Sequence, residues 1–187
     1  KLLKDFGLNI YRPKRPGSFW VRTTALGSYR EVGRACHLVT TNESRVMIDV
    51  GVNIASDTDP MPYFTAPEAL PMEKMDAVIL THAHLDHAGM LPVLFRYGYR
   101  GPVYCTPPTR DLMLLLQSDY LKIGGTEGRR APYDMEDIRT CMRHVIDVDW
   151  GQTVDIAPDV KLTFHNAGHI LGSSSVHLHV GDGKHNI

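Results

Sequence analysis

The chain has 187 residues, 43% of them hydrophobic and 22% charged, with 20 Lys and Arg against 21 Asp and Glu. These are ordinary values for a soluble globular protein able to bury a sizeable core, and the net charge of −1 removes any bulk electrostatic sign of a nucleic-acid binder. No apolar run approaches the roughly 18 residues that span a membrane and no signal-peptide core opens the chain, which predicts a cytosolic protein with no membrane partner.

Residues 1–18 carry Lys4, Arg12, Lys14 and Arg15 among Pro13, Pro16 and Gly17, a composition that predicts either a basic linker from an upstream domain or a partly ordered arm. The domain proper is expected over 19–187. Phe19 to Leu26 is β-favourable until Gly27 breaks it, and Cys36 to Thr41 with Arg45 to Val50 reads as a hairpin across Thr41-Asn42-Glu43-Ser44. Asp49 ends the second strand against Gly51. A carboxylate there either closes a turn or orients a metal-binding histidine. Asn53 to Met72 holds Pro60, Pro62, Pro67 and Pro71, predicting a long irregular loop of the kind that borders functional sites.

The strand Met75 to Leu80 then delivers Thr81-His82-Ala83-His84-Leu85-Asp86-His87. Neutral imidazole and carboxylate suit Zn²⁺ and its neighbours. His82 and His84, two apart in extended backbone, project to the same side; Asp86 and His87 come after the chain has turned and point elsewhere. Two adjacent metals are the economical reading, against a single structural zinc or a histidine-rich surface loop.

A helix is expected directly behind, with Leu91, Leu94 and Phe95 at helical spacing and Pro92 in its first turn. Pro102 to Cys105 reads as a strand, Thr106-Pro107-Pro108 opens a second helix, and 124–130 reads as a flexible loop. Asp134 caps a third helix with Asp137 three on, its buried face drawn from Met135, Ile138, Met142 and Val145. Val154 to Ile156, Val160 to Phe164 and Ser174 to Val180 return to strands. Cys36, Cys105 and Cys141, odd in number and scattered, predict buried free thiols. This order predicts two sheets with helices outside them.

Of the other histidines, His169 stands out, because it sits between two glycines after the strand Leu162-Thr163-Phe164 and can complete the first metal's ligands. His37 and His144 read as fillers of regular elements, His177 and His179 as one face of a strand, and Gly168 argues against a helical His165/His169 pair.

The motif at 81–87 matches the His-x-His-x-Asp-His signature of the metallo-β-lactamase superfamily, with Asp49 resembling its first motif and His169 its third. Gly27-Ser28-Tyr29-Arg30-Glu31-Val32-Gly33-Arg34-Ala35-Cys36 and Ala167-Gly168-His169-Ile170-Leu171-Gly172-Ser173 resemble the β-CASP nuclease branch, in particular archaeal relatives of the cleavage and polyadenylation specificity factor endonuclease. The resemblance implies an α+β fold, the αβ/βα sandwich in its first part. It also implies two Zn²⁺ ions on His82, His84, Asp86, His87 and His169, catalytic roles for Asp86 and Asp49, and hydrolysis of RNA phosphodiesters in 3′-end processing or RNA decay. It further implies upstream KH-like RNA-binding domains and a homodimer of the full-length protein. A bridging aspartate and later histidines of that family are expected after Ile187, so this chain reads as the amino-terminal part of a catalytic domain, weak in its second metal site and inactive alone. Asp182 is not taken for the bridge. A thioester or lactam hydrolase, or a non-catalytic RNA-binding subunit, shares enough of the pattern to stay open.

Overall fold

A computed structural model of the chain describes every residue except 57, 127–130, 182–184 and 187, and leaves out the side chains of 126, 185 and 186. In order, the elements are α1 (Leu2–Ile10), β1 (Val21–Gly27), β2 (Cys36–Thr41), β3 (Arg45–Ile48), β4 (Ala77–Ile79), α2 (Leu85–Ala88), α3 (Leu91–Arg96), β5 (Val103–Cys105), α4 (Pro107–Thr126), α5 (Met135–Arg143), β6 (Val145–Asp147), β7 (Thr153–Ala157), β8 (Val160–Asn166), β9 (Ser174–Val180) and β10 (His185–Asn186). Strands β1 to β6 form one sheet in that order, antiparallel through β3 and parallel from β3 to β6; the second, antiparallel sheet runs β10-β9-β8-β7.

The alternation of side chains along the first sheet divides the apolar residues between two cores. Leu38, Met47, Val78, Val103 and Cys105 point to the helices and pack with Val93, Leu94, Met113, Ile138 and Cys141. Their neighbours Val39, Val46, Ala77, Ile79 and Tyr104 point the other way, onto Ile156, Val160, Leu162, Phe164, Leu178 and Val180 of the second sheet. Strands β4 and β5, buried at every position, are therefore continuous apolar runs covered on both faces. Buried Asp159 ties the sheets at one end, accepting hydrogen bonds from Thr41 Oγ1 (2.6 Å) and Ser44 Oγ. No helix of the described residues is long and apolar enough to cross a membrane.

Several local expectations change. Within the segment read as either a basic linker or a partly ordered arm, residues 2–10 form a helix that docks through buried Phe6 and through Asn9 and the following Arg12, both bonded to Asp76 Oδ1 (2.9 and 2.8 Å). The basic composition hid it, because Arg12 serves the dock rather than solvent. Helix α4 continues through Gly124 and Gly125 to Thr126, where a loop was expected; the remainder of that stretch, with Asp182, lies outside the described residues. The capping box of Asp134 and Asp137 is present, but α5 buries Ile138 and Cys141 while Met135 faces outward and Val145 begins the unexpected strand β6. The first helical turn after the histidine motif contains Asp86 and His87 rather than following them. The three cysteines are buried free thiols as expected.

His144 fills a core position between Phe6 and Phe95, with ring centroids 5.8 and 4.9 Å away, and its Nδ1–H donates to the Thr140 carbonyl at 2.8 Å. Burial pushes its imidazole below the ordinary 6.5, the Thr140 bond opposing and Arg100 and Arg143 assisting. The folded ring therefore stays neutral where the unfolded ring takes a proton. Its contribution is complete above about pH 6.5 and is lost as pH falls toward the lowered folded value. His144→Phe, which keeps the ring contacts and has no proton to gain, is expected to lose less stability than the parent between pH 7.5 and 5.5 in urea titrations; equal losses would contradict this assignment.

Candidate metal centre

The site forms where β3 and β4 end side by side. Asp49 follows β3 with a left-handed φ of 60°, and its N–H donates to the Ile79 carbonyl at 2.9 Å. The next residues lie against the histidine motif: Val50 N–H donates to the His87 carbonyl (2.6 Å) and Val52 N–H to that of Leu85 (2.9 Å). Ala35 N–H reaches the Asp86 carbonyl at 2.9 Å. Gly51 permits this approach, since a Cβ there would stand 1.6 Å from the Asp86 carbonyl oxygen and 2.8 Å from the Ala35 nitrogen.

The Asp49 carboxylate is buried and fully used. Oδ1 accepts the Thr81 N–H (2.8 Å); Oδ2 accepts the Thr81 hydroxyl (2.8 Å) and the His87 Nδ1–H (2.8 Å). Because the Thr81 hydroxyl spends its proton on Asp49, it must accept from His82 Nδ1, 2.9 Å away. One carboxylate thus sets the tautomer of two imidazoles and leaves their Nε2 lone pairs free. His87 Nε2 faces Asp86 Oδ2 at 3.6 Å.

His169 arrives from the second sheet. The turn after β8 passes through Gly168 at φ 66°, and Ser173 Oγ accepts the N–H groups of His169 and Ile170 (3.1 and 3.2 Å). Thr106 and Thr109 hydroxyls hold the Gly172 carbonyl (2.7 and 3.1 Å), and Ser174 N–H donates to the Thr81 carbonyl at 2.8 Å, joining the two site loops directly. His169 Nε2 consequently lies 3.3 Å from His84 Nδ1, and ring nitrogens of His82, His84 and His169 all fall within 4.8 Å of one another. A tetrahedral zinc ion holds its nitrogen ligands about 3.4 Å apart, so the three fit one ion with small adjustments. Among the described residues this is the only such group of three. His165, exposed at the end of β8, is not part of it and lies against His177 instead.

The electrostatics separate the two imidazoles that Asp49 orients. Burial pushes His82 down to about 4, with His87, His84 and His169 adding and Asp49 opposing. Burial also opposes the charged form of His87, but the Asp49 hydrogen bond and the charges of Asp49 and Asp86 outweigh it and hold that imidazole above 6.5.

Residues 38–184 match the family model described as the metallo-beta-lactamase superfamily domain. The chain belongs to the metallo-beta-lactamase superfamily. Among its relatives are proteins named transcription termination factor FttA, from Methanosarcina mazei (54% identical over 187 residues), Methanocaldococcus jannaschii (54% over 188) and a Lokiarchaeum (48% over 185). Nearly all of this chain aligns with each, but it spans only 29–30% of their length. Solved metallo-beta-lactamases share the fold: the Rm3 enzyme has a TM-score of 0.57 at 21% identity, covering 96% of this chain and 62% of that one. MEM-A1, isolated from a soil metagenome library, has 0.58 at 18%, covering 95% and 62%.

Within this superfamily framework the structure brings His82, His84 and His169 together, sets Asp86 and His87 beside them, and puts Asp49 behind the imidazoles. Sequence reading gave no role to Thr81, the connector between Asp49 and His82, nor to Thr106, Thr109 and Ser173, which hold the His169 turn. A hydroxyl placed directly before the first histidine was the one signal available. Gly51→Ala is expected to lower stability by about 3 kcal/mol and to disorder the motif, read as a shifted urea midpoint; a neutral substitution would show that the backbones can part.

Proposed function

We propose that this chain supplies the metal centre of a zinc-dependent ribonuclease that hydrolyses RNA phosphodiesters. The observation that carries the reading is the convergence of three imidazoles beside an Asp49-oriented His87–Asp86 pair, in a chain whose high-identity relatives are named transcription termination factors. That name favours transcripts over lactams or thioesters as the substrate.

His82, His84 and His169 would hold one zinc ion, and Asp86 with His87 would contribute to a second. Bound there, zinc supplies Lewis acidity, lowering the pKa of a coordinated water from 15.7 to about 7 and offsetting charge that gathers on phosphate oxygens. The chain's own residues prepare this chemistry. Asp49, through Thr81 and directly, fixes the His82 and His87 tautomers, so it acts as a positioning residue without touching substrate. His82, pushed down to about 4, keeps its lone pair free at neutral pH. The Asp86 carboxylate, with 38% of its side chain exposed, would accept a hydrogen bond from the attacking water. The same reading gives the full-length protein upstream KH-like domains and a homodimeric state.

In the full-length protein, His84→Ala is expected to reduce cleavage of labelled single-stranded RNA to the level seen with chelator while RNA affinity stays within about twofold of the parent. Unchanged turnover, or hydrolysis of a thioester or β-lactam in place of RNA, overturns the reading. Asp49→Asn should weaken zinc binding by about 10–100-fold in competition with a chromogenic chelator; an unaltered affinity would remove Asp49 from its positioning role.

A further inference from the structure

The segment 28–34, between β1 and β2, takes no part in the centre described above, yet the fold spends unusual effort on it. Strand β1 ends, β2 begins and β3 ends at one edge of the sheet, in the registers Gly27–Cys36 and His37–Ile48. The segment therefore stands on the same rim as Asp49 and the histidine motif, and Ala35 N–H closes it onto the Asp86 carbonyl.

Three of its non-glycine residues are left-handed, Ser28 (φ 67°), Arg30 (60°) and Arg34 (44°). Such conformations persist only where the surroundings over-determine them. Arg34 does so here. Its buried guanidinium makes ion pairs with Glu31 and Asp59 (both 2.6 Å), donates to Tyr63 Oη (2.9 Å) and stacks on the Tyr63 ring, 4.4 Å from the centroid. Arg34 thus anchors one end of the segment to Asp59 and Tyr63, while its middle faces solvent: Tyr29 is 64% exposed and Val32 85%. His37 steadies one side of the Tyr29 ring at 5.6 Å. The exposed Arg30 guanidinium has no hydrogen bond or ion pair to any described residue.

We propose that residues 28–32 form a nucleotide-binding rim of the metal centre, where Tyr29 stacks on a base of single-stranded RNA and Arg30 pairs with a neighbouring phosphate. The inference rests on the phosphodiesterase reading for the identity of its ligand. An exposed aromatic ring next to an unpaired guanidinium is the pairing that single strands select: every base has a π-face, and the cation tracks the backbone. Anchoring through Arg34 lowers the ordering cost of binding, and the Ala35–Asp86 hydrogen bond ties the end of the segment to the metal centre.

The test is binding of a labelled ten-nucleotide RNA by the full-length protein, with chelator present so that no cleavage intervenes. Tyr29→Ala is expected to weaken binding about tenfold while Tyr29→Phe stays within about twofold. Arg30→Asn, which tolerates the left-handed φ, should reduce the slope of log affinity against log salt by about 0.7, the value for one single-strand phosphate contact. These side chains are exposed, so unchanged melting temperatures accompany the effects. Parent-like affinity and slope in Tyr29→Ala and Arg30→Asn overturn the rim, as does an equal loss for RNA duplex, whose bases cannot stack on a side chain. If the variants weaken single-strand binding but no condition yields cleavage, the rim stands and the hydrolase reading fails.

Discussion

The buried Asp49 carboxylate is the constraint on which the centre depends. Removing a carboxylate from water is costly unless donors replace the lost hydration, and here the Thr81 amide, the Thr81 hydroxyl and the His87 ring do so. The same bonds join the ends of two parallel strands and orient two imidazoles. Stability and site preparation are therefore one interaction: whatever loosens Asp49 also frees the rings.

Around that carboxylate the backbone is crowded. Gly51 lets the Asp86 carbonyl approach closer than any side chain would allow, and Ala35 and Val52 hydrogen-bond across the same gap. The second sheet contributes at a distance. Its core contact with β4 and β5 sets where β8 ends, and the Ser174–Thr81 bond with the two threonines on Gly172 sets where His169 points. The histidine cluster is thus a product of two sheets packed face to face, and no single loop could assemble it.

How far the sequence revealed this differs from element to element. The strands β1 to β4 were legible because β-branched runs are bounded by turn residues, and α5 because Asp134 and Asp137 announce its cap. Of the face that α5 buries, Ile138 and Met142 were legible from their spacing; Met135 and Cys141 are both apolar and only packing selects between them, burying Cys141 and leaving Met135 exposed. Helix α1 was masked by the basic, proline-punctuated stretch behind it, where the partners of Arg12, Asp76 and the Glu43 carbonyl, lie far along the chain. Strand β6 has three residues, too few to establish a period. In the centre, the spacing of His82, His84, Asp86 and His87 was visible at once, because three imidazoles and a carboxylate within six positions stand out by residue type alone.

The sequence by itself therefore determined the clustering of His82, His84, Asp86 and His87, the strand that delivers them and the superfamily resemblance. All of these are written in short-range order: ligand spacing, an apolar run, a capping pair. Only the tertiary structure decided how closely His169 meets His84 across 85 positions, that one carboxylate governs two rings, His87 directly and His82 through Thr81, and that the Tyr29–Arg30 loop shares their rim. Those are consequences of register and sheet packing, which depend on burying two cores at once, and no local run of residues encodes that.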